Sequence, residues 1–188
     1  EYGDGQSQQL DLGDASPDEL VDALSHDNMF WRQEAQQQLV QRGETDVVSD
    51  LVSVIENDSP DGIGIAKGAV HALWTLHGLG ALEEGASSEA TSAAMGALSH
   101  SSAAVRLNAV RVLPGTAGVR DAILDNGLVT DDNMRVRMWA LLALAEAPAS
   151  DAAGEAIFEL MDVESNFEDE VLREAALIGG GTNAQGFI

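Results

Sequence analysis

The stretch Val105-Arg106-Leu107-Asn108-Ala109-Val110-Arg111-Val112-Leu113 sets an apolar residue, an Ala and a Leu four positions apart. Four residues are slightly more than one helical turn, so Val105, Ala109 and Leu113 share a face, and the small central Ala lets a neighbouring helix approach closely. The pattern recurs as Trp31/Ala35/Leu39, Ile65/Ala69/Leu73 and Val136/Ala140/Leu144, with central Ala spacings of 34, 40 and 31 residues. A second marker keeps the same register. Ala23-Leu24-Ser25-His26 returns as Ala97-Leu98-Ser99-His100 after 74 residues, the sum of the first two Ala spacings. A degraded fifth copy reads Val171/Ala175, with Gly179 in place of the Leu. Two independent markers in one register predict about five units averaging about 35 residues.

Each marker segment follows a shorter amphipathic one: Pro17 to Ser25, Asp46 to Glu56, Glu89 to Ser99, Val119 to Asn126 and Ala152 to Asp162. Every unit is therefore expected to be a helix pair. Ser16-Pro17-Asp18-Glu19 carries the capping-box signature, and Gly43, Gly78 and Gly127 are placed to end helices. The 28 Ala residues and the lack of sustained period-two alternation exclude a sheet. The fold class expected is all-α, an α-α superhelix of about five helix pairs. Residues 1–15 read as a linker, 16–178 as the repeat domain, and 179–188, with Gly179-Gly180-Gly181, as an exit linker or truncated tail. A chain that opens on Glu1 rather than Met is read as a processed protein or a piece of a longer one. The longest spacing is assigned to extra residues in Leu79 to Ser87.

The chain has 188 residues, and 9 basic against 32 acidic side chains give a net charge of −23. Nucleic-acid binding is excluded, because it needs basic residues to displace phosphate counterions. Eight of the basic residues are Arg and one, Lys67, is Lys. Three readings of the acidity stand side by side: a salt-rich habitat, an acidic face for a basic partner, and solubility. With no Cys there is no thiol nucleophile, thiolate metal site or covalent haem attachment in these residues. No apolar run reaches membrane-spanning length and no signal peptide is visible.

His71 and His77 lie six apart, about 240° around a helix, and cannot chelate a metal as an i, i+4 pair does. His26 and His100 close equivalent first helices, where each is expected to bond the last carbonyls or favour the helix dipole; such repetition speaks for structure rather than catalysis. Gly62-Ile63-Gly64-Ile65-Ala66-Lys67-Gly68 imitates a dinucleotide loop, but Lys67 stands where the third glycine belongs and no strand precedes it. The series Asn57, Ser59, Asp61 imitates a calcium loop that lacks the closing Glu at Gly68. No Ser sits in a G-x-S-x-G elbow. Catalytic, cofactor and metal residues are thus expected to be absent from this chain, and no cofactor is assigned to it. Arg32, Arg106, Arg111, Arg135 and Arg137 recur in second helices and are expected to tie units together. Trp31, Trp74 and Trp139 read as core or groove anchors. The residues assigned to a partner surface are Trp31, His71, Trp74 and Arg111.

Helix pairs of this period, with Val105-Arg106 and Val136-Arg137 near the start of second helices, resemble HEAT repeats over roughly residues 16–178. The ordered strings Asn28-Met29-Phe30-Trp31-Arg32 with Ala35-Gln36 and Leu39-Val40-Gln41-Arg42-Gly43, then Ala69-Val70-His71-Ala72-Leu73-Trp74-Thr75-Leu76-His77-Gly78-Leu79-Gly80 and Asn108-Ala109-Val110-Arg111-Val112-Leu113-Pro114, resemble the HEAT segment of large bacterial membrane-bound dehydrogenases. That resemblance implies a β-propeller related to quinone-dependent sugar dehydrogenases before this segment, a cytochrome c domain after it, and a periplasmic or extracytoplasmic location. It implies for this chain a non-catalytic connector; the alternative is a free-standing module that binds a basic protein. Partners are then proteins, with no nucleic acid and no membrane insertion by this segment.

Overall fold

Ser16 and Glu19 start the first helix by capping each other. Ser16 Oγ accepts the Glu19 N–H at 3.3 Å and Glu19 Oε2 accepts the Ser16 N–H at 2.8 Å. In the computed structural model, which describes residues 10–187, the helices are α1 (Pro17–Ala23), α2 (Met29–Arg42), α3 (Val48–Asn57), α4 (Lys67–Gly78), α5 (Ser88–Gly96) and α6 (Ala103–Val112). They continue with α7 (Ala117–Asp125), α8 (Met134–Glu146), α9 (Asp151–Met161), α10 (Glu164–Glu168), α11 (Glu170–Thr182) and α12 (Ala184–Phe187). Short 3-10 turns at Ala97–Ser99 and Leu128–Thr130 extend α5 and follow α7. The protein is all-helical, with no strand among the described residues. Side-chain oxygens of Asn28, Ser87, Thr116, Asn133 and Asp169 cap α2, α5, α7, α8 and α11.

The marker helices pack in sequence order: α2 on α4, α4 on α6, α6 on α8 and α8 on α11. The shorter helices lie beside them, α1 on α2, α3 on α4 and α9 on α11, and touch along their own row where α1 meets α3 and α3 meets α5. Ala35, Ala69, Ala109 and Ala140 are fully buried where the helices meet, with Leu39, Leu73 and Leu144 beside them. The long second interval lies where it is expected, in the turns of residues 79–87 between α4 and α5.

Three expectations are revised. In the fifth unit Val171 is 52% exposed and Leu172 only 1%; Ala175 and Gly179 are buried beside Ala176 and Gly180, so the series buried at all three positions is Leu172/Ala176/Gly180, one residue later than Val171/Ala175/Gly179. Ile65 precedes α4 and is exposed, because residues 58–66 form a loop in place of that helix's first turn. The three glycines expected to lead the chain out lie inside α11, where a Cβ on Gly179 would stand 2.9 Å from the Leu141 carbonyl oxygen and one on Gly180 2.9 Å from the Phe187 ring. Gly179 and Gly180 serve close packing, while a Cβ on Gly181 would meet no atom. At the other end, Leu12 is buried in the core while residues 1–9 of the expected linker lie outside the described residues.

A polar joint repeats at the entrance to the marker helices. Arg32, Arg106, Arg137 and Arg173 each stand four residues after their cap residue, Asn28, Ser102, Asn133 and Asp169. Each donates from Nη1 to the carbonyl six residues back: His26, His100, Asp131 and Phe167, at 2.6 to 2.8 Å. In the first three of these the residue supplying that carbonyl also holds the cap. His26 Nδ1 accepts the Asn28 N–H, His100 Nδ1 accepts the Ser102 N–H, and Asp131 Oδ1 accepts the Asn133 N–H. The rings of the repeated histidines therefore fasten the start of the next helix, while the bonds to the end of the previous one, at the Ala23 and Ala97 carbonyls, come from their backbone N–H groups. Arg106 also reaches forward into the next unit, Nε and Nη2 gripping Asp131 at 2.6 and 2.9 Å.

Candidate functional site

The marker helices expose one face on which polar and aromatic side chains link each helix to the next. From α2, Gln36 offers Oε1 to His71 Nδ1–H of α4 at 2.7 Å. From α4, Trp74 donates its indole N–H to Asn108 Oδ1 of α6 at 2.8 Å, and Asn108 in turn donates to the Ala104 carbonyl one turn back. From α6, Arg111 lies between two indoles, its guanidinium carbon 5.0 Å from the Trp74 ring centre and 4.7 Å from that of Trp139 on α8. One chain of contacts thus crosses four consecutive marker helices.

The chemistry of this face is set by position in each helix. His71 is half-buried between α2 and α4, and burial together with the nearby Arg32 charge pushes its ring down from 6.5 to about 4. It is neutral near pH 7, with Nδ1–H directed at Gln36. His77 stands edge-on to Trp74 at 5.5 Å and is exposed. A cleft of about 400 Å³ opens between α2 and α4, lined by Gln33, Gln36, Gln37 and Gln41 with His71 and Trp74. A larger cleft of about 560 Å³ lies on the other row, between α1 and α3, where Asp18, Asp22, Asp50 and Asp58 line it.

Of the four residues assigned to a partner surface, the fold brings Trp74 and Arg111 into contact and sets His71 on the same face. Trp31 sits apart at the start of α2, edge-on to Phe30 at 4.9 Å. Gln36 and Asn108 complete the array and were not singled out by sequence. Their only signal is a polar amide one position from a buried Ala, which becomes meaningful once two helices are laid side by side.

The remaining candidates resolve into local structure. Asp61 Oδ1 accepts the N–H groups of Ile63 and Ile65, closing the glycine-bearing loop on itself, and these bonds hold its carboxyl below the ordinary value. That loop is fastened to α6 by Ser102 Oγ, which donates to the Gly64 carbonyl at 2.7 Å. Among the described residues no group of three metal-ligating side chains converges, and no helix is long and apolar enough to cross a membrane.

Of the arginines, Arg106 joins two units through Asp131 and Arg111 joins three by stacking, while Arg32 and Arg137 bond carbonyls of their own unit. Arg135 is exposed at the start of α8. Comparison with models of known protein families and with curated proteins found no match.

Proposed function

We propose that this chain is a non-catalytic scaffold, an α-α superhelix of about five HEAT-like pairs whose marker-helix face serves as an interaction surface. The observation that carries the reading is the joint built four times from a cap residue, a carbonyl and an Arg. A polar set that recurs in register in four of the five units builds the stack, whereas a catalytic set would appear once. The polar–aromatic array from Gln36 to Trp139 crosses units in the same way and offers an extended surface to a protein.

The ordered strings quoted above support a place for this scaffold between a propeller dehydrogenase and a cytochrome c domain in a larger extracytoplasmic protein. In that setting the chain itself carries no cofactor and the neighbouring domains do the chemistry. The decisive experiment is on the native source: an antibody to this chain should identify a polypeptide several times larger than 19.7 kDa that stains for covalent haem. A haem-free band near 19.7 kDa overturns the connector. Dehydrogenase turnover or a Soret band from the isolated chain overturns the scaffold itself.

The cleft lined by Asp18, Asp22, Asp50 and Asp58 favours a second reading, a module that takes an Arg/Lys-rich partner. Saturable binding of a polyarginine peptide that weakens steeply with salt supports it, and calorimetry that detects no binding at low ionic strength removes it.

A further inference from the structure

Three glutamines stand four residues apart on α2, at Gln33, Gln37 and Gln41, and all three are exposed. Each step of four residues advances about 6 Å along the helix, so the row is about 12 Å long. It forms one wall of the cleft of about 400 Å³ between α2 and α4, whose other wall carries His71, Trp74 and His77. The floor is closed where the two helices meet: Gln36 holds His71 at 2.7 Å, and a Cβ on Gly78 would stand 2.6 Å from Val40 Cγ2. Both walls are consecutive marker helices. Further along the row the corresponding space is filled, because Arg111 lies between the Trp74 and Trp139 rings, and a cleft of only about 110 Å³ remains between α6 and α8.

Two properties of the lining select an occupant. The first is charge. In a chain with 22% charged residues, none of the nine residues around this cleft is Asp, Glu, Lys or Arg. A charged ligand would give up hydration here with no counter-charge to meet it, and an anionic one would also meet the net charge of −23. The second property is period. A Gln amide offers a donor and an acceptor together, as the main chain of each peptide residue does. An extended peptide turns both groups to the same side at every second residue, about 6.4–6.8 Å apart, close to the step of about 6 Å along the glutamine row. The row matches about four extended residues in length, and the half-buried Val40 and Trp74 supply apolar surface for a side chain.

We propose that the groove between α2 and α4 binds an uncharged peptide segment in extended form, its main chain paired with the amides of Gln33, Gln37 and Gln41. The proposal rests on the reading of the marker-helix face as an interaction surface and names the chemistry that one part of that face takes. It differs from the cleft of Asp18, Asp22, Asp50 and Asp58 on the other row, which attracts a partner by charge. Salt separates the two, because screening weakens an attraction between charges and leaves neutral hydrogen bonds in place.

NMR of the isotope-labelled 188-residue chain tests this with the blocked peptide acetyl-Ser-Leu-Ser-Leu-Ser-amide, its counterpart with Asp for Ser, and the neutral sugar maltopentaose. Titration to about 10 mM covers the dissociation constant of about 1 mM expected of so short a contact. The neutral peptide should give saturable shifts in the side-chain amides of Gln33, Gln37 and Gln41, with a constant that changes less than about twofold between about 0.1 and about 1 M NaCl. The double variant Gln37→Ala with Gln41→Ala should raise that constant at least about fivefold and leave the thermal unfolding curve in place, since both side chains are exposed. Methylating the main-chain nitrogens of the Leu residues or of the Ser residues removes donors from one edge of the strand or the other, so the two peptides should differ at least about fivefold in affinity. No shift at about 10 mM, equal binding of the Asp peptide, equal effects of the two methylations, or shifts at the glutamines from maltopentaose alone each overturns the proposal. Peptide shifts that map to Arg111 and Trp139 and survive the double variant also overturn the groove, and they leave the face as an interaction surface. The scaffold reading fails separately, on turnover or a Soret band from the isolated chain.

Discussion

Asp131 is 6% exposed at its side chain and faces a guanidinium that is 17% exposed, so this pair lies largely out of water. Burial pushes the Asp131 carboxyl up, but the bonds from Arg106 and the Asn133 N–H outweigh it and hold the group below its ordinary value. Because one carboxylate holds both the preceding unit and its own helix cap, its loss should be felt twice. Asp131→Ala should destabilise the protein by about 2–4 kcal/mol, read as a fall in the urea midpoint, whereas Arg42→Ala, which removes an exposed pair with Asp46, should leave that midpoint nearly in place. Equal effects would remove the joint from its structural role. His71 gives a prediction in pH. Its folded value near 4 lies below the unfolded 6.5, so between those pH values the unfolded chain takes up a proton that the folded chain refuses. Stability is therefore full above about pH 6.5 and declines as pH falls toward 4. NMR should place the His71 ring titration near pH 4, and His71→Gln should lose this component of the acid sensitivity; a midpoint near 6.5 contradicts the burial argument.

At the level of the helix, periodicity located every marker segment, because a buried stripe must repeat at the helical period whatever it packs against. It misplaced the fifth by one residue, since Val171 and Leu172 are both apolar and only the tertiary contacts distinguish them. Arg173 held the correct answer: it stands three residues before Ala176, as Arg32 does before Ala35, Arg106 before Ala109 and Arg137 before Ala140. The revised register predicts that Leu172→Ala costs about 2–5 kcal/mol and that Val171→Ala stays within about 0.5 kcal/mol, compared by chemical denaturation; the reverse order would restore the original register. Glycine misled for a related reason. Local reasoning treats a glycine run as a break, but Gly154 faces the Asn183 carbonyl and the Phe187 amide so closely that any Cβ there would displace α12. Such a glycine marks a close approach between helices distant in sequence, and its local context carries no sign of it.

Over the whole molecule, the net charge of −23 is spread along a chain that buries mostly Ala, Leu and Val. Self-repulsion acts on the folded state over about 10 Å at 0.1 M salt and about 3 Å at 1 M, so unfolding midpoints should rise between those NaCl concentrations. A midpoint that does not rise removes the salt-rich reading of the acidity. The all-helical class, the pairing of helices and the repeat were legible from residues alone, because each follows from spacings within one segment: an apolar stripe, a cap, a Gly at a helix end. The link from Gln36 through Trp74 and Arg111 to Trp139 and the joint of Arg106 with Asp131 were not. Each depends on which helix face meets which neighbour, a relation among residues about 25 to 40 positions apart. Side-chain chemistry at one position is the same whether it points at water or at the next helix, and only the packing of the units decides between them.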